Sequence, residues 1–388
     1  MRAAEKVLWV LAIAGFLLGI VGLVQRVSSG HVEAAYGSYV PWGLWVAMYA
    51  MLIGMSAGSF IFAAATYAFD LRDLVPAARV ALPIALGTFV GGILAIWLDL
   101  GHPLRAWKLL LNTGLGSVMG WMAWFYLAYF VVLCLLLWLT VVRGQGGTGG
   151  VRVLGWIGIV LALLFGGGEG ALFGVVGARP FWQSGMTPVL FILEGLLSGV
   201  ALVTFVALLL GTVGDRIALR LGRLVLGLLA LSILFEWADL SIGYYASIPA
   251  YADGLRLVLF GQFAWVFWGV HVGLGAALPL GLLLWAGRSR GAVALAAALV
   301  AFTALATKLN VVIPGLAVPE FEGLQDAYTG PGLSFQYFPT TMEWLVSLWI
   351  AAVAGLVFLA AYRVAAKPAR LHTVPQSTVR PQRAQGLR

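Results

Sequence analysis

A single cysteine and four histidines are all that 388 residues offer to a metal or redox centre. Cys134 sits in an apolar run, which excludes an internal disulfide, a CxxC motif and a cysteine-ligated cluster. His31, His102 and His372 lie outside the apolar runs and only His271 lies within one, so a membrane haem held by two facing histidines is not expected. Neither haem nor iron–sulfur cluster is expected in this chain. Charge is equally scarce, at 10% of residues, and no strand precedes a glycine-rich phosphate loop because no strand pattern exists. The chain therefore serves a diffusible hydrophobic molecule, a small solute or another subunit.

Apolar residues make up most of the chain. A hydrophobic content of 62% and a mean hydropathy of +0.99 describe an integral membrane protein. The formal charge of +8 comes from basic residues in the connections between apolar runs, a topology signal that implies no nucleic-acid partner. Ten runs are marked: Val7–Val24, Pro41–Phe69, Val80–Leu98, Ser117–Val142, Val153–Val176, Pro188–Thr212, Leu224–Ala246, Leu257–Leu284, Ala292–Val312 and Met342–Tyr362. With the N-terminus inside, 17 of the 23 lysines and arginines fall on the inner side, 5 on the outer side, and Lys308 within a span. The expectation is an all-α polytopic protein of the inner (cytoplasmic) membrane, with ten transmembrane helices and both termini cytoplasmic. Met1–Gly30 opens like a signal peptide, but its apolar run is long and no cleavage site precedes His31, so it reads as a retained helix.

The second run, from Pro41 to Phe69, is 29 residues without a charge, and Gly54 with Gly58 forms a GxxxG face where a neighbour can approach backbone to backbone. Pro41 leading into GMSAG is weakly echoed by Pro188 leading into EGLLSG. That echo divides residues 1–362 into two four-helix bundles, 41–176 and 188–312, with two flanking helices; the basic tail 363–388 reads as disordered and drawn to anionic lipid. Two outer connections stand out. Asp99–Gly116, with His102, Arg105, Trp107 and Lys108, reads as a short interfacial helix. Ile313–Thr341, rich in proline and aromatics and carrying Glu320, Glu322 and Asp326, is expected to fold over the outer face.

Ionisable groups inside spans are costly and need a reason. Glu169, Glu194, Asp239 and Lys308 fall in the outer half, Glu236 and His271 near the middle, and Asp99 and His102 at the outer edge. Lys308 with a carboxylate makes a self-neutralising pair, or holds a Schiff base; His271 is a hydrogen-bonded core residue or a ligand. Glu236 and Asp239, three apart, share a helical face and point to proton handling.

Pro41-Trp-Gly-Leu-Trp with the small-residue helix after it resembles the opening core helix of the polysulfide reductase membrane-subunit (NrfD/PsrC) family. Asp99-Leu-Gly-His-Pro-Leu-Arg resembles its outer-edge motif, with His102 where arginine is common. Arg179-Pro-Phe-Trp-Gln-Ser-Gly-Met-Thr-Pro188 and Phe338-Pro-Thr-Thr-Met-Glu-Trp344 are similar to the ten-helix branch, which includes membrane subunits of hydrogenase and sulfite-reduction complexes. The resemblance implies a cofactor-free, quinone-reactive subunit of a respiratory redox complex that exchanges electrons with a ferredoxin-type iron–sulfur subunit on the outer face. A molybdopterin or other catalytic subunit would complete the assembly. On this reading Asp99 and His102, with Arg105, Trp107 and Glu169, bind quinone or menaquinone, and Glu169, Glu236 and Asp239 conduct protons. A passive membrane anchor and a proton or solute transporter are the rival readings.

Overall fold

Backbone amides and carbonyls find no water inside a bilayer, so apolar runs of this length fold as helices that satisfy themselves. The computed structural model describes residues 3–366, apart from 113, 115, 246, 247, 288, 322, 329 and 331. Among the described residues there is no strand, and ten helices are long and apolar enough to cross a membrane. They are α1 (Ala3–Ser29), α2 (Leu44–Ala68), α3 (Val75–Asp99), α4 (Val118–Leu137), α5 (Gly149–Gly174) and α6 (Thr187–Leu209). The rest are α7 (Asp215–Tyr245), α8 (Val266–Trp285), α9 (Arg290–Ala317) and α10 (Thr341–Ala366). The all-α polytopic architecture is thus as the hydropathy pattern predicts. The connections 30–43, 100–117, 175–186, 246–265 and 318–340 share one side, the long-loop face. The short turns and most of the arginines share the other, the arginine face.

Three boundaries differ from expectation. Leu257–Phe260 belongs to a separate helix, Pro249–Phe260, and α8 starts only at Val266. Gly261 ends that helix in a turn so tight that a Cβ would lie 2.5 Å from the Leu257 carbonyl oxygen. The segment after α3 is broken into a 3-10 turn, Pro103–Arg105, and a single helical turn, Lys108–Leu111, because Pro103 has no N–H with which to continue a helix. Ile313–Ala317 stays within α9 despite Pro314, and only the chain beyond it folds back over the long-loop face. Glu322 and the tail from Lys367 onward lie outside the described residues. Arg363 is still helical and pairs with Glu5 of α1 at 3.0 Å.

Small residues set the packing. A Cβ on Gly58 would lie 2.0 Å from the Gly195 carbonyl oxygen, and one on Gly199 would lie 2.5 Å from the Ser59 nitrogen. Both GMSAG and EGLLSG are therefore used up in one close α2–α6 crossing, the kind of contact that drives association where lipid supplies no hydrophobic force. Helix α2 ends up enclosed, touching α3, α5, α6 and α9. Helices α1 and α10 pack against each other, with Gly19 so close that a Cβ would lie 2.5 Å from that of Trp349, and α10 rests on α3.

Candidate functional site

Two polar clusters interrupt the apolar interior. The first gathers at the long-loop end of α3. Arg26 is 5% exposed, and its Nε and Nη2 donate to the carbonyls of Leu98 and Leu100, each at 2.8 Å. A cation there fills the orphan acceptors of the helix terminus and complements its dipole. Asp99 is held between those two carbonyls. The α1–α2 connection then brings His31 and Tyr36 over it. His31 meets Tyr36 edge-on with ring centroids 5.3 Å apart, and Tyr36 meets Trp45 edge-on at 5.9 Å. The Tyr36 hydroxyl faces the Asp99 carboxylate.

His31 Nε2, Tyr36 Oη and Asp99 Oδ1 are buried, and none makes a hydrogen bond of good geometry among the described residues, although the Tyr36 hydroxyl and the Asp99 carboxylate lie within reach of each other. Buried polar atoms are nearly always paired, so three orphans inside one aromatic cage form a ready set of contacts for a small polar head on an apolar body. Burial, and then the nearby Arg26 guanidinium, push the His31 imidazole below its usual range, which keeps it neutral at pH 7. Burial, reinforced by Asp99 and Glu343, pushes the Tyr36 phenol well up, so it stays a donor.

A carboxylate from the last helix braces this cage. Glu343 is fully buried; its Oε2 accepts from the amides of Ala35 at 3.0 Å and Thr340 at 2.9 Å, and its Oε1 accepts from the Tyr337 hydroxyl at 2.5 Å. The Tyr337 hydroxyl in turn accepts from the Leu44 amide at 2.7 Å, and Trp45 Nε1 donates to the Glu343 carbonyl at 3.1 Å.

The second cluster gathers side chains of α6, α7, α8 and α9. Lys308 of α9, 4% exposed, reaches Glu194 of α6 at 2.6 Å, and His271 Nε2 reaches Glu236 of α7 at 3.2 Å. On its other side His271 Nδ1 lies 3.3 Å from the Asn310 amide. Glu194, Glu236, His271 and Lys308, with Ser198 and Thr303, line a cavity of about 40 Å³, room for roughly three waters. His271 stands in a π-helical stretch of α8, Val266–Ala277, a widened geometry that recurs at functional positions. Glu169 of α5 is 1% exposed, its Oε1 without a partner among the described residues, within Coulombic reach of Lys308 and of the bonded hydroxyls of Tyr49 and Tyr126.

The residues singled out in the sequence divide accordingly. Asp99 lies in the first cluster and Glu236 in the second, and Glu169 stands apart from both lining sets within Coulombic reach of Lys308. Asp239 accepts from the Ser184 hydroxyl at 2.9 Å, so it and Glu236 have different partners. His102, Arg105 and Trp107 are exposed on the broken segment after α3. His31, Tyr36, Arg26, Tyr337 and Glu343 escaped sequence reasoning. His31 just ahead of PWGLW was one available signal, and the Thr340-x-x-Glu343 spacing of a capping box was another.

A profile of the family described as Polysulphide reductase, NrfD matches residues 32–320. The chain belongs to the NrfD family. The NrfD match covers Asp99, Glu169 and the second cluster but stops short of Arg26, His31, Tyr337 and Glu343. Among NrfD relatives, a selenate reductase subunit of Mesobacillus selenatarsenatis is 30% identical over 88% of this chain and 89% of its own length. The Hdr-like menaquinol oxidoreductase integral membrane subunit of Archaeoglobus fulgidus is 27% identical over 82% of this chain and 83% of its own. The integral membrane subunit of menaquinone reductase from Nitratidesulfovibrio vulgaris is 22% identical, with 89% and 87% covered.

Proposed function

We propose that this chain is the quinone-reactive membrane subunit of a respiratory redox complex, and that the cage around Asp99 takes the quinone head group. The observation that carries this is the trio of orphaned atoms, His31 Nε2, Tyr36 Oη and Asp99 Oδ1, enclosed by Trp45 and Tyr36. A quinol needs acceptors for two hydroxyl protons and an apolar slot for its ring. Neutral His31 and the Asp99 carboxylate accept the protons, and the Tyr36 hydroxyl donates to a ring oxygen. The two electrons pass to a ferredoxin-type iron–sulfur partner on the long-loop face, and the reverse flow reduces a quinone. Relatives named for menaquinol and menaquinone support menaquinone as the substrate. Relatives named as parts of selenate, dimethyl sulfoxide and polysulfide reductases support a separate catalytic partner, of the molybdopterin or another class. His102, Arg105 and Trp107, exposed on the segment after α3, are offered to the partner on the long-loop face.

The second cluster supports proton transfer through the bundle. Lys308, Glu194, His271 and Glu236 form a titratable row around water-sized space, with Glu169 within Coulombic reach of Lys308, and Asp239 continues it toward the long-loop face. The assembly lies in the cytoplasmic membrane with the arginine face inside.

The test uses the intact complex with menadiol. Asp99→Asn and His31→Ala each lower menadiol turnover about ten-fold or more, the low end for loss of a positioned acid–base group. Dye-linked activity of the attached catalytic partner stays normal. Unchanged menadiol kinetics in both variants would reduce the chain to a passive anchor, and solute flux by the isolated membrane protein in vesicles would favour a transporter.

A further inference from the structure

Glu343 does two separable jobs. With Thr340 it makes a reciprocal capping box at the start of α10: the Thr340 amide donates to Glu343 Oε2, and the Glu343 amide donates to Thr340 Oγ1 at 3.3 Å. A cap needs nothing more. Yet the same carboxylate also takes the Ala35 amide, one residue before Tyr36, and the Tyr337 hydroxyl, which receives the amide of Leu44, one residue before Trp45. Trp45 itself is tied by its indole N–H to the Glu343 carbonyl. Both aromatic walls of the cage are thus hung from one buried residue of the last helix.

The surrounding chain leaves little slack. The Ser38 amide donates to the Gly332 carbonyl at 3.0 Å, and a Cβ on Gly37 would lie 2.3 Å from that oxygen. A Cβ on Gly43 would lie 2.3 Å from the Tyr337 hydroxyl. Gln262 donates to the Tyr337 carbonyl at 2.8 Å, and Tyr36 and Tyr337 have ring centroids 6.5 Å apart. The two connections 30–43 and 332–340 therefore form one interlocked layer with Glu343 at its centre. A fully buried carboxylate already accepting three short bonds is closed off from substrate, so its effect on the cage is exerted through Tyr36 and Trp45.

We propose that Glu343 is a positioning residue for the head-group cage: through Ala35, Tyr337 and its own carbonyl it sets where Tyr36 and Trp45 stand relative to Asp99. The proposal rests on the quinone reading above, and it extends the site to α10, outside the span matched by the NrfD profile.

The test separates the cap from the brace in the intact complex. Glu343→Gln keeps a capping-box side chain but has one acceptor oxygen in place of two. Tyr337→Phe keeps the ring and removes the link to Leu44. Both variants are expected to weaken binding of a fluorescent hydroxyquinoline N-oxide, and to raise KM for menadiol, on the order of ten-fold. Turnover at saturation stays within about threefold, because Asp99, His31 and Tyr36 remain chemically intact. Thr340→Ala, which removes the cap alone, lowers the thermal midpoint and leaves KM and binding unchanged. Unchanged binding in both Glu343→Gln and Tyr337→Phe would overturn the proposal. So would a loss of binding that Thr340→Ala reproduces in step with its thermal midpoint. The control is Asp99→Asn: if it impairs menadiol turnover while the Glu343 and Tyr337 variants leave KM and inhibitor binding unchanged, the positioning role alone fails. If it has no effect either, the quinone reading itself fails.

Discussion

Trp42 and Trp182 stack with ring centroids 5.6 Å apart and planes 17° from parallel. One ring comes from the PWGLW run before α2 and the other from the RPFW run between α5 and α6. Trp182 also donates its indole N–H to the Val311 carbonyl at 2.7 Å, in the last two turns of α9 and close to Pro314. Arg179, three residues earlier, donates to the Val318 carbonyl at 3.0 Å and pairs with Glu320 at 2.8 Å. The RPFW run therefore closes the end of α9 and ties it to the start of α2.

Trp182→Phe keeps much of the stack but leaves a largely buried carbonyl with a weaker bonding pattern. A loss of about 1–3 kcal/mol is expected in detergent unfolding, with the Asp99 cage intact. Menadiol turnover per folded complex should match the parent.

The α2–α6 crossing predicts a sharp contrast between glycines. Gly58→Ala meets the Gly195 backbone and is expected to cost about 1–3 kcal/mol, because a packed backbone has no flexible neighbour to move. Gly101→Ala faces open space within 4 Å and is expected to stay within about 0.5 kcal/mol of the parent. Equal thermal midpoints for the two variants would remove the crossing as the organising contact.

Lys308→Met leaves the mostly enclosed Glu194 without its cation, and breaking one side of such a pair is expected to cost about 3–5 kcal/mol. Adding Glu194→Gln should recover much of that loss, since the second change removes the uncompensated charge. A double-mutant cycle with no coupling would show that the pair contributes nothing as a pair.

His31 gives the pH prediction. Its folded pKa lies below the ordinary value of about 6.5, so the neutral form is the one favoured by folding. Its contribution to stability is fully present above pH ~6.5 and is lost as pH falls through the lower, folded value. Thermal midpoints in detergent should therefore fall less steeply below pH ~6.5 in His31→Gln than in the parent. Parallel pH profiles would show that His31 keeps its ordinary value.

His102→Ala tests the solvent edge. The residue is exposed and its side chain makes no cap to the turn after it, so KM for menadiol is expected to stay within about twofold. A ten-fold rise would bring His102 into the head-group cage beside Asp99.

Reporter fusions after Arg143 and near Tyr328 should give opposite sides, cytoplasmic for the first. The same side for both would break the alternation on which the ten-span topology depends.

Hydropathy and the positions of the arginines were enough to read ten spans and their alternation, because both depend on transfer free energy summed along short windows. The GxxxG at Gly54 and Gly58 was equally legible, since backbone contact between helices demands small residues at that spacing. Asp99, Glu169 and Glu236 were visible for a related reason: a charge placed inside or at the edge of an apolar run stands out against its neighbours. The partner of each was not visible. Glu194 meets Lys308 across 114 positions, and Ala35 meets Glu343 across 308. Sequence proximity favoured His102 as the companion of Asp99, and the chain beyond Leu100 carries that ring to the surface. His31 takes the place beside Tyr36 because the end of α1, held by Arg26 on the carbonyls of Leu98 and Leu100, steers the following connection over α3. Local composition determined which residues are embedded and where charge is costly; only the crossing of distant helices decided which polar groups share a cavity, because burial and pairing are properties of the packed whole.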